Sequence, residues 1–194
     1  EGWIVEFEKY KSIPEFKLVN FSITMDEFKF IYWWEWGHRQ LARFIGIVWL
    51  VGFMTLWIRN QIPERWTFYF LAIGLLGALQ AFLGWWMVSS GLDGQVVDVF
   101  SYRLAIHLTM AFIILALIFW AILFHSEDSA ALFESRRYRN KLSVNILLAL
   151  GVLCYLQLAL GALVAGIDAG RGYNDWPLMN GNWIPDDLLD YKPF

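Results

Sequence analysis

The run Glu35-Trp36-Gly37-His38-Arg39 puts a carboxylate, an imidazole and a guanidinium at one end of an otherwise apolar stretch. Such groups are expensive at membrane depth and normally line a site or a wet cavity rather than face lipid. A second imidazole, His107, follows Arg103 by four residues on another apolar stretch. On a helix, Glu35 and His38 share a face, and Glu35 and Arg39 are spaced to pair. Arg39 and Arg43, and Arg103 and His107, stand one turn apart. Two imidazoles facing one another across a helix bundle can bind a heme iron from both sides. In that reading Arg39, Arg43 and Arg103 suit the anionic propionates, because a guanidinium matches carboxylate geometry. Glu35, one turn from His38, would stand at the porphyrin edge, able to accept a proton or stabilise a cationic intermediate.

Positioning these residues requires membrane helices. The chain of 194 residues is 58% hydrophobic and 19% aromatic, with only 17% charged residues. That is too apolar and too poor in charge for an ordinary soluble domain. Four segments reach the roughly 20 apolar residues a spanning helix needs: about 30–58, 66–90, 102–124 and 142–167. None alternates with the period of barrel strands, so internal backbone satisfaction in lipid leaves helices. The expected fold is all-α, an integral membrane bundle with four spans in this chain. Basic residues mark two connections, Arg59 with Arg65, and Arg136, Arg137, Arg139 and Lys141. The positive-inside rule places both on the cytoplasmic or matrix side, leaving 1–29, 91–101 and the segment from 168 outside. His38 then lies about eight residues into the first span and His107 about six into the third. At 1.5 Å per residue their depths differ by only about 3 Å.

Plainer readings compete at each position. His125, beside Ser126-Glu127-Asp128 at the inner end of the third span, reads as an interfacial hydrogen-bonding histidine. Arg39 and Arg43 could simply snorkel to headgroups. Trp33, Trp34, Trp36, Trp85 and Trp86 fit an aromatic belt. Gln80 and Gln157 fit interhelical glue, and Gly74, Gly77, Gly84 and Gly161 fit close helix packing. Cys154, the single cysteine, reads as inert core and excludes an internal disulfide. The net charge of −3 is small and mixed, which argues against nucleic acid as a partner. The start at Glu1-Gly2-Trp3, without Met, and the end at Tyr191-Lys192-Pro193-Phe194 predict a piece of a longer protein. A short surface helix is expected around Glu6 to Lys11, ended by Pro14. Leu79-Gln80-Ala81-Phe82-Leu83-Gly84 is echoed by Leu156-Gln157-Leu158-Ala159-Leu160-Gly161, as a bundle built from duplicated units would show.

Several longer motifs carry a family resemblance. Glu35-x-x-His38-Arg39, preceded by Glu15-Phe16-Lys17 and Glu27-Phe28-Lys29-Phe30, resembles heme A synthase. So do Leu83-Gly84-Trp85-Trp86-Met87-Val88-x-Ser90-Gly91-Leu92, Tyr102-Arg103-Leu104-Ala105-x-His107-Leu108 and Tyr173-Asn174-Asp175-Trp176-Pro177-Leu178-Met179. The resemblance runs through nearly the whole chain in order. It is similar to the alphaproteobacterial or mitochondrial type, lacking the outer-loop cysteine pair of Gram-positive members. The resemblance implies eight membrane helices in two similar four-helix bundles, each with a histidine pair, oxidising a methyl group of heme O to the formyl group of heme A. It assigns Glu35 as the catalytic glutamate and His38 and His107 as the iron ligands of the substrate-holding half. A heme b belongs to the C-terminal half, whose histidines have no counterpart here.

The implied layout is an outer segment 1–29, three helices of the N-terminal bundle in 30–125, and an inner loop 126–141. The first helix of the second bundle at 142–167 and an outer loop at 168–194 complete it. Implied partners are the lipid bilayer, heme O synthase, the cytochrome c oxidase assembly machinery and an unidentified electron donor, with self-association left open. The implied location is the bacterial plasma membrane, with the mitochondrial inner membrane as the alternative. Two rival functions remain: a cytochrome b-like electron carrier with a bis-histidine heme, and an assembly factor that holds heme without chemistry. Only the enzyme needs a carboxylate against the porphyrin edge.

Overall fold

The computed structural model describes residues 2–18, 20–89, 99–167 and 169–185. The elements are α1 Gly2–Ser12, α2 Pro14–Leu18, α3 Met25–Ile58, α4 Glu64–Ser89, α5 Ser101–Ser126, α6 Ser129–Arg137 and α7 Lys141–Gly166, followed by a 3₁₀ turn Ala169–Arg171. Helices α3, α4, α5 and α7 are each long and apolar enough to cross a membrane. Among the described residues there is no strand, only one isolated bridge between Met179 and Asn182. Most of the expected outer loop 91–101, including the Gly91-Leu92 end of its motif, lies outside the described residues, as do Asp168 and the last residues of the chain.

Helix α3 begins five residues before the expected span because Thr24 caps it. The Thr24 hydroxyl accepts from the Glu27 amide at 3.3 Å, and the Glu27 carboxylate accepts from the Thr24 amide at 2.8 Å. This reciprocal capping box satisfies two amides that a helix start leaves without partners. At 34 residues α3 is about 51 Å long, well beyond the ~30 Å of hydrocarbon. Its extra turns carry α1 and α2. Trp3, Phe7 and Tyr10, on one face of α1, pack on Phe28 and Tyr32, with centroid separations of 5.0–6.4 Å. Pro14 both ends α1 and opens α2, since the first position of a helix needs no amide donor. The loop expected at 126–141 contains α6, whose charged sequence hides a short helix from a hydropathy reading.

The spanning helices pack in the order α3 on α4, α4 on α5, and α5 on α7. Close approach is bought by glycine at particular points. A Cβ on Gly74 of α4 would collide with the Trp49 ring of α3, and one on Gly166 of α7 would lie 2.6 Å from the Ser101 Cα of α5. Gly77 and Gly161, expected to serve the same purpose, have nothing within 4 Å of such a Cβ. At the far end of the pair, Trp66 of α4 lies 4.5 Å from the His125 ring and 4.9 Å from Phe124 of α5. Tyr69 donates its hydroxyl to the Leu117 carbonyl at 2.7 Å. These contacts set the register of α5 on α4.

Candidate functional site

Register brings three helices level at one depth. His38 lies 20 residues from Ile58, Gly84 lies 20 residues from Glu64, and His107 lies 19 residues from Ser126. Each is therefore about 30 Å from the end that carries the turn 59–63. His38 and His107 are near enough to interact electrostatically. Their helices α3 and α5 each pack on α4, so α4 forms the floor between them.

His107 is half-buried, and α4 is shaped around it. A Cβ on Gly84 would lie 2.9 Å from His107 Cε1. One turn earlier on the same face, Gln80 donates its amide to the His107 carbonyl at 2.9 Å. That amide nitrogen also stands 3.4 Å from His107 Nε2. His107 Nδ1 and Gln80 Oε1 are buried with no hydrogen-bond partner. Sequence reasoning assigned Gln80 and Gly84 to packing alone. Their spacing of one helical turn was visible, but which neighbour that face meets depends on the rotation of α4 against α5.

The charged residues divide into separate environments. Glu35 and Arg39 form an exposed ion pair on α3, as their spacing predicts. Arg43 is exposed one turn further along, and no ion pair holds it among the described residues. Arg103, one turn from His107, donates through Nη1 to the Trp86 carbonyl at 2.7 Å. Its guanidinium lies 4.3 Å from the Trp86 ring centroid and 5.3 Å from that of Phe100. Arg103 thus ties the end of α4 to the start of α5 and satisfies a terminal helix carbonyl. His38 itself is exposed.

Among the described residues no cluster of three or more His, Cys, Asp or Glu could hold a metal ion. Two imidazoles alone are too few for a bare ion, which takes four or more donors. They suffice for a metal whose equatorial nitrogens come from a macrocycle. The buried, unpartnered Nδ1 beside a glycine-backed ring fits an imidazole held ready as an axial ligand. Guanidiniums at the same end fit a group bearing carboxylates.

Beyond the site, the outer segment 173–185 folds on Asp175, whose carboxylate accepts from the Asn180 amide at 2.9 Å and the Gly181 amide at 2.7 Å. These two N–H groups, Gly181 first, lower the Asp175 pKa from its ordinary value.

Comparison with known proteins follows the same direction. The profile of the family described as cytochrome oxidase assembly protein matches residues 1–194. A heme A synthase of Cereibacter sphaeroides (strain ATCC 17025 / ATH 2.4.3) is 51% identical over 191 residues, covering 98% of this chain and 49% of its own length. The heme A synthase of Dinoroseobacter shibae is 49% identical over 193 residues, covering 100% of this chain and 50% of its own. That of Paracoccus denitrificans is 50% identical over 188 residues, covering 97% and 49%. The chain spans about half the length of the curated relatives it matches. No solved structure matches it.

Proposed function

The chain belongs to the cytochrome oxidase assembly protein family, and from that premise we propose that it forms the substrate-holding part of a heme A synthase. In this reading the whole protein is an oxidoreductase that converts a methyl group of heme O to the formyl group of heme A for cytochrome c oxidase. The observation that carries it is the level pairing of His38 and His107 across α4, with Gly84 and Gln80 against the His107 ring. The substrate heme would be held through its iron by His38 and His107 and through its propionates by Arg39, Arg43 and Arg103.

Each side chain then has a distinct task. Gly84 leaves room for the His107 ring where any side chain would intrude. Arg103 clamps α4 to α5 beside it, which fixes the His107 backbone, and presents positive charge at the same end. Arg39 pairs with Glu35 and keeps that carboxylate on the outer part of α3, one turn from His38. Glu35 Oε1 is the proton acceptor as hydrogen leaves the methyl carbon during its oxidation. The positive-inside rule puts this constellation on the outer side of a bacterial plasma membrane. Heme O synthase supplies the substrate and the oxidase assembly machinery takes the product.

Glu35→Gln tests the catalytic assignment. It preserves size and hydrogen bonding but removes the base. The intact protein carrying it should still retain heme O yet form no heme A when heme species are separated by chromatography. Undiminished heme A in the variant would remove Glu35 from the chemistry.

A further inference from the structure

Gln80 makes the one side-chain contact to His107 that depends on which ring nitrogen carries the proton. The two nitrogens of a neutral imidazole are not equivalent, because one donates and the other accepts. The Gln80 amide nitrogen can only donate. It is fixed in place by its bond to the His107 carbonyl at 2.9 Å, and it faces His107 Nε2 at 3.4 Å. A donor in that position favours a lone pair on Nε2 and disfavours an Nε2–H. The proton is thereby directed to Nδ1, the buried nitrogen without a partner. Gly84 closes the other side, with its Cβ position 2.9 Å from Cε1.

We infer that Gln80 is a positioning residue for His107: its carboxamide, anchored on the His107 carbonyl, holds the imidazole in the Nδ1–H tautomer and keeps the Nε2 lone pair available for iron. This role deepens the heme-holding reading above and rests on it. An orienting partner one layer out from a metal ligand typically changes metal affinity 10–100-fold when removed. Here the partner acts before the metal arrives, by selecting the form of the ligand that can bind.

The tautomer is measured directly by ¹⁵N NMR of histidine-labelled intact protein prepared without heme, with His107 assigned by loss of its signals in His107→Ala. Wild type should show Nδ1–H at His107. Gln80→Met, similar in size and without a donor, should show a mixture. Gln80→Glu, which presents an acceptor instead, should shift the ring to Nε2–H. In protein loaded with heme O, retention should fall at least tenfold in Gln80→Glu and less in Gln80→Met. An Nε2–H His107 in wild type, or an unchanged tautomer in Gln80→Met, overturns the positioning role whatever the heme result. Gln80→Met alone decides the question if Gln80→Glu does not fold. The heme reading has its own arm: heme O retained at wild-type level in His107→Ala refutes that reading, while the NMR result still judges the tautomer.

Discussion

Replacing Gly84 with Ala tests whether α4 is shaped around His107. The added methyl carbon would lie 2.9 Å from His107 Cε1, whereas relaxed carbon–carbon contacts are about 3.5–4.0 Å. The ring must therefore retreat by about 0.6–1.1 Å. Overpacking of this kind costs about 1–3 kcal/mol, and replacing a helical glycine with Ala returns up to about 1 kcal/mol. Global stability should fall by no more than about 2 kcal/mol, because an imidazole at the end of a side chain can move. Ligation is less forgiving, since a ligand set must be held to within about 0.5 Å. Gly77→Ala is the control: it lies on the same helix, two turns away, with nothing within 4 Å of its Cβ. The assay is heme O retention by the detergent-solubilised intact protein, with thermal unfolding measured in parallel. Gly84→Ala should lose at least tenfold in retention with a small change in unfolding temperature, and Gly77→Ala should match wild type in both. Equal retention in the two variants would show that the glycine at 84 does not serve the His107 ring.

Two further expectations concern the outer face. Thr24→Ala removes the α3 cap and should cost about 1 kcal/mol, read as faster amide hydrogen exchange over the first turn of α3; unchanged exchange there would mean that the packing of α1, not the cap, holds that end. Asp175 has a lowered pKa, so its contribution to the 173–185 fold is complete above the ordinary carboxylate value near 4. It is lost as the pH falls through the lower folded value, and Asp175→Asn should abolish that acid dependence in the hydrogen exchange of the Asn180 and Gly181 amides.

Much of this architecture was legible in the letters, for identifiable reasons. The four long helices follow from uninterrupted apolar length, which in lipid has few alternatives. The His38–His107 pairing followed from counting residues inward from the loops, and equal rise per residue makes such counting reliable. The Glu35–Arg39 pair followed from spacing on a single helix. Other features depended on signals that hydropathy masks. The Thr24-x-x-Glu27 box was present in the sequence, yet the span was expected at Phe30 because the preceding turn is polar. Helix α6 was read as loop because its arginines carry the topology signal. The partners of Gln80, Gly84 and Arg103 were not readable at all. Each contact crosses from one helix to another, so it depends on the rotation of α4 and α5 about their axes. Gly74 and Gly77 show the same point: three residues apart on one helix, one meets Trp49 and the other meets nothing.

The central claim is that His38 and His107 together hold the substrate heme. It is tested most directly by extracting and chromatographing heme from the purified intact protein as wild type, His38→Ala and His107→Ala. The account predicts heme O or heme A in wild type alongside heme b, and loss of the O and A species alone in both variants. Heme b as the only species in wild type, diminished by either substitution, would contradict it and assign the pair to an electron-carrying cytochrome.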